Sequence, residues 1–187
     1  MRTVFVSLVA LSLFACSATD SSMAPASGRV AQSESTSDTP APGNPASVLA
    51  LGRTYWFVFD ESPKVLGLMT TKCGKDGADK VPACLDEIRH EAAREAIRFS
   101  GSDTAHLTWT SFGLDASGKE ELFLEVPFAV TGIDGAFVSV KSTGAPRGPQ
   151  AAGLKSPGKD AIAFEVIDES TIAMTDPEKG RLMFRAR

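Results

Sequence analysis

The sequence predicts a mostly antiparallel β domain of the α+β kind, in which a meander of about seven strands curls or closes. A helical hairpin is expected as an insertion after the first strand. Three observations carry this. From Ala105 onward apolar and polar residues alternate with period two, the mark of strands with one buried face. Short runs rich in Asp, Gly and Ser separate these segments and supply tight turns. Between the first strand and the rest, the apolar spacing changes to three and four, which is helical.

The first strand is expected in Leu49–Phe59, which is rich in aromatic and β-branched residues. It should stop at Asp60-Glu61-Ser62-Pro63, where Ser62 reads as a helix N-cap and Pro63 takes the first helical position, needing no N–H. A helix to about Lys72 would bury Val65, Leu66 and Met69. Gly74 and Gly77 interrupt the chain. A second helix is expected from near Pro82, with Leu85, Ile88, Ala92, Ala96 and Phe99 on one face.

Ala105, Leu107 and Trp109 then begin a half-buried strand, and Asp115–Lys119 turns the chain into the longest alternation, Leu122, Leu124, Val126, Phe128 and Val130. Pro127 falls on the outward register there, which places its missing donor at an edge or bulge. Ile133-Asp134-Gly135-Ala136 reads as a hairpin turn into Phe137–Lys141. A Pro/Gly/Ala/Lys loop spans 144–159. Ile162, Phe164 and Val166, then Ile172 and Met174, then Leu182 and Phe184 complete the series, divided by Asp168-Glu169-Ser170 and Asp176–Gly180.

Ahead of this domain the chain divides in two. Val4–Ala15 is apolar apart from Ser7 and Ser12 and follows Arg2, the pattern of a secretory signal and too short to span a bilayer. Residues 16–46 are Ser, Thr, Ala and Pro-rich, cannot repay the entropy of ordering, and read as a tether of roughly 30 Å reach. The organisation expected is therefore a signal at 1–15, a linker at 16–46 and one globular domain at 47–187.

Leu13-Phe14-Ala15-Cys16 resembles the lipobox of bacterial lipoproteins. The resemblance implies cleavage before Cys16, a diacylglycerol thioether on its sulfur and acylation of its new amino group, palmitate being the usual chain. Several chains together hold a protein durably, at about 0.8 kcal/mol for each buried methylene. Ser17, rather than Asp, after the cysteine implies an outer-membrane address. An ordinary cleaved signal followed by a free cysteine is the alternative. The up-and-down strand order over residues 48–187 resembles small lipocalin-like β-barrels, although Gly52 and Trp56 stand four apart, where the Gly-x-Trp pattern would put Thr54.

The net charge of −4 offers no basic face for nucleic acid. Cys73 and Cys84 form an even pair once Cys16 is acylated, and in an exported protein a disulfide across the helical hairpin is expected. A thiol or metal pair is the alternative, but with His90 they have no compact zinc spacing. His90-Glu91-Ala92-Ala93-Arg94 fails as a zinc motif because Arg94 occupies the second histidine's place. Asp103-Thr104-Ala105 lacks the second copy that aspartic-protease chemistry requires. The acidic pairs, Asp60-Glu61 among them, sit at turns and helix starts. Val58–Ser62 and Val166–Ser170, VFDES and VIDES, read as two strand exits using the same turn chemistry.

No catalytic residue, cofactor or metal site is expected. Trp56, Trp109, Phe128 and Phe164 either fill the barrel or line a ligand cavity, and the loop bearing Arg147, Lys155 and Lys159 either gates a pocket or is a plain exposed connection. The leading reading is a membrane-anchored envelope lipoprotein that binds a small apolar ligand in a lipocalin-like manner. The second is a structural or assembly protein that binds another envelope protein through an edge strand or the helical pair. A filled interior with an exposed apolar patch would favour the second.

Overall fold

The computed structural model describes residues 43–101, 103–151, 162–176 and 178–187. Cys16, Lys155 and Lys159 lie outside them. Helix α1 is Pro45–Ala50; strand β1, Thr54–Phe57, runs into a 3₁₀ turn at Phe59–Glu61; helix α2 is Pro63–Cys73 and helix α3 Val81–Ala92. The remaining strands are β2 Glu95–Ser100, β3 His106–Leu114, β4 Glu120–Asp134, β5 Phe137–Ser142, β6 Ile162–Val166, β7 Thr171–Asp176 and β8 Gly180–Ala186.

The eight strands form a closed antiparallel barrel in which each pairs with the next and β8 pairs with β1, Tyr55 opposite Ala186 and Phe57 opposite Phe184. Alternation sends Tyr55, Phe57, Ile97, Phe99, Leu107 and Trp109 inward. Two bulges bend the long β4, one opposite Ser111 and Phe112 and one between Val130 and Gly132. Gly135, at φ 56°, opens the two-residue turn that lets Asp134 pair with Phe137.

Pro127 sits where its missing N–H does no harm. Its carbonyl accepts from the Thr143 N–H at 2.9 Å, so its hydrogen-bonding side faces β5 just beyond the end of that strand. Further along, the segment 143–151 continues beside β4: Arg147 and Glu125 exchange backbone bonds at 2.8 Å, and the Gln150 N–H donates to the Phe123 carbonyl at 3.1 Å.

Three expectations change. Leu49 and Ala50 are helical rather than extended, because Asn44 caps α1 by accepting the Ala46 N–H at 3.0 Å and Pro45 fits the first turn. The folded domain consequently begins before residue 47, with Ala46 and Leu49 buried in the core. Ala96 and Phe99 belong to β2, not to the preceding helix. In EAIRFS the inward Ile97 and Phe99 alternate with the wall residues, and β-sheet pairing on both sides overrides the apparent helical spacing. The strand thus gained brings the total from seven to eight.

Ser62 does not cap α2. Its buried hydroxyl donates to the Val58 carbonyl at 3.0 Å and accepts the Met183 N–H at 3.1 Å, joining the 3₁₀ turn to β8. VFDES and VIDES therefore diverge. The second is a surface turn in which Asp168 accepts from the Ser170 N–H at 2.6 Å and from the Ser170 hydroxyl at 2.7 Å.

The barrel has two distinct ends. Helix α1 reaches β2, β4, β5 and β6 and closes the end where β1 begins. The connection carrying α2 and α3 leaves β1 and re-enters β2 at the other end, and α2 lies against β8. Among the described residues, the closed barrel and the one core that it shares with α1, α2 and α3 lie within residues 43–187, so that segment has a core of its own.

Candidate functional site

The barrel interior is occupied by side chains. Trp109, Phe99, Phe164, Val126, Val138, Val140, Ile172 and Phe184 are fully shielded, with no exposed surface. Phe99 meets Phe164 edge to face at 4.8 Å between ring centres, and Trp109 stacks on Phe128 at 6.1 Å. Leu49 of α1 joins the same cluster. Three of the aromatic residues singled out from sequence, Trp109, Phe128 and Phe164, are therefore together inside, where they pack as core.

Trp56 is the exception. It lies between the inward Tyr55 and Phe57, and the pleat turns it to the outer wall. There it meets Phe112 edge to face at 6.2 Å and carries the Arg187 guanidinium over its ring at 5.2 Å. Arg98 covers Phe112 in the same way at 4.7 Å. Trp56 thus cannot line an interior cavity; it is part of an aromatic and arginine cluster on the barrel's outside.

Among the described residues, three buried side-chain polar atoms have no hydrogen-bond partner: Trp109 Nε1, Ser111 Oγ and Asp176 Oδ2. Ser111 follows Leu107 and Trp109 on the inward register of β3, and only its polar side chain set it apart from the apolar series in the sequence. The other oxygen of Asp176 accepts the Glu178 and Lys179 N–H groups at 2.8 and 2.7 Å. Burial pushes the Lys179 amine down, and the charges of Asp176, Glu95 and Glu178 oppose that shift.

The cysteines are joined. Cys73, at the end of α2, bonds to Cys84 in α3 with their Cα atoms 5.9 Å apart, tying the two helices together. Arg89 of α3 holds Asp60 beside the 3₁₀ turn at 2.8 Å and also pairs with Asp86. Arg147 faces Glu125 at 3.8 Å. Among the described residues no group of three or more His, Cys, Asp or Glu side chains is placed to hold a metal ion.

Asp103, set aside as a catalytic candidate, serves a turn. Its carboxylate accepts the Ala105 and His106 N–H groups at 2.8 and 2.7 Å. The backbone N–H groups of His106 and Ala105 hold its carboxyl below the usual range, as the Ser117 hydroxyl and the Lys119 N–H do for Asp115, and the Ser170 hydroxyl and N–H for Asp168. A carboxyl with a depressed folded pKa contributes stability that is whole above its unfolded pKa of about 3.9 and fades as pH falls through the folded value. Melting temperatures recorded between about pH 2 and 5 should therefore drop in acid, and Asp115→Asn with Asp168→Asn should flatten that drop. An unchanged acid limb in the double variant would refute the assignment.

On the outside, the large apolar side chains left exposed among the described residues are Leu51, Leu68, Leu122, Ile133, Phe137 and Ile167. Leu68 lies on α2. Comparison of the chain with protein families, with curated proteins and with solved structures gives no match.

Proposed function

We propose that this chain is a lipid-anchored envelope protein, without enzymatic activity, whose barrel acts as a solid body that engages another envelope protein through its outer surface. The observation that carries this reading is the packing of the interior: fully shielded aromatic and aliphatic side chains occupy the space in which a lipocalin-like carrier would hold its ligand. Closure of the barrel also joins the strands in a ring and confines any free edge to the tip of β4 beyond Ala129, which leaves little for the edge-strand mode of binding. The recognition surface is then the helical pair α2 and α3, held by Cys73–Cys84 and carrying the exposed Leu68 at the end away from α1. The anchor reading rests on Leu13-Phe14-Ala15-Cys16, with diacylglycerol on Cys16, an outer-membrane address and residues 17–42 as the tether.

Three measurements test it. Radiolabelled palmitate should enter the wild-type chain and not Cys16→Ala. Native mass spectrometry of residues 43–187, gently purified, should give the mass of the polypeptide alone. A stoichiometric apolar molecule would overturn the assembly reading and restore the lipocalin-like carrier. A photo-crosslinker at residue 68 should give one discrete adduct in cells, with none from residue 121 on the barrel wall.

A further inference from the structure

Among the described residues, four of the six exposed large apolar side chains gather at one end of the barrel, the end closed by α1. Leu51 caps α1 and is 56% exposed. Ile133 and Phe137 flank the β4–β5 turn at 47% and 48%, and Ile167, at 45%, follows β6. The backbone confirms the grouping: the Val166 N–H donates to the Ala136 carbonyl at 2.8 Å, which sets Ile167 beside the turn. Phe137 pairs with Glu165, two residues before Ile167, so the two apolar side chains are diagonal neighbours on the outer face. Residues 131–137 are all exposed and project past β3, whose pairing with β4 stops at His106 opposite Ala129. Isolated exposed apolar residues are ordinary, but a projecting tip that carries several of them marks a contact surface.

The chain enters the domain at this same end, through Gly43 and α1. The geometry points to a lipid bilayer as the occupant: we infer that the α1 end, led by Phe137, Ile133 and Ile167, docks on the membrane surface. This rests on the lipid-anchor reading in one respect, since residues 17–42 then connect this end to the bilayer. Tethering raises the local concentration of membrane around the domain, so a weak contact is enough to orient it. The charges nearby decide the headgroup. Asp103, Asp134, Asp168 and Glu169 are exposed at this end, Arg53 pairs with Glu169 at 3.2 Å, and His106 stands 3.3 Å from Asp103. The contact is therefore apolar with neutral phospholipid, and anionic lipid opposes it. Docked this way, the barrel turns α2 and α3 outward.

The test uses residues 43–187, without the anchor, and vesicles of phosphatidylcholine and phosphatidylethanolamine at millimolar lipid. The domain is expected to float with the vesicles, and Phe137→Ser with Ile167→Ser to reduce the bound fraction about tenfold. Leu68→Ser, at the other end, should leave it unchanged, and both variants should keep the wild-type melting temperature within a few degrees because the sites are exposed. Replacing a third of the lipid with phosphatidylglycerol should weaken flotation. No flotation of the wild-type domain, equal flotation of the double variant, stronger binding to anionic vesicles, or sedimentation as a dimer that the double variant abolishes would each overturn the inference. Palmitate labelling of Cys16 is read separately, so a domain that fails to float while Cys16 is labelled refutes the docking and leaves the anchor standing.

Discussion

Trp109→Ala is expected to destabilise the domain by about 3–5 kcal/mol, the range for truncating a buried aromatic side chain. Trp109 lies in the middle of β3, opposite Phe99 on one side and Val126 on the other, stacked on Phe128 and fully buried. The surrounding strands are hydrogen-bonded on both sides and cannot collapse into the space left behind, which puts the effect at the upper part of that range. Since domains are stable by about 5–15 kcal/mol in total, much of the margin disappears. Trp109→Phe separates packing from polarity. It retains an aromatic ring against Phe128 and removes an indole N–H that has no partner, a group whose burial costs about 1–3 kcal/mol. Urea unfolding should therefore place Trp109→Phe much closer to wild type than to Trp109→Ala. Equal losses in the two variants would show that Nε1 is satisfied after all.

Cys73→Ser with Cys84→Ser is expected to cost about 3 kcal/mol by the loop-entropy argument, for a sequence separation of 11. The loss should be local. The bond joins α2 to α3 and closes only the segment between them, while the barrel is held by its own ladders and by the β1–β8 closure. Hydrogen exchange should speed up in residues 63–92 before it does in β3 and β4. Uniform loss of protection across the barrel would instead show that the helices and the strands unfold as one unit.

Much of the barrel was legible in the sequence because its signals are local. Leu124, Val126 and Phe128 alternate into the core as their spacing requires, the turns at Gly135 and Asp168 use residues suited to them, and Pro63 starts a helix. Misreadings arose where a distant partner decides the outcome. Ala96 and Phe99 satisfy a helical period, yet Trp56 and Trp109 pair opposite them and make the segment a strand. Ser62 carries the signature of a cap, but Met183, 121 residues away, takes its hydroxyl. Trp56 looked like a lining residue because aromatic character alone does not say which side of a strand faces in. The apolar end was legible only in part: Ile133 and Phe137 flank a local hairpin turn, but Leu51 and Ile167 lie far from them in the chain and join them only through the fold.

The pairing of β1 with β8 also governs when the barrel can close as the chain folds. Seven of the eight neighbouring strand pairs join consecutive strands and can assemble one after another along the chain. The eighth sets Tyr55 beside Ala186, so both edges of the growing sheet stay bare until the last strand docks. A partly folded chain in which β8 has not yet docked thus offers two open templates for mispairing, and whatever shields them has to stay until β8 meets β1.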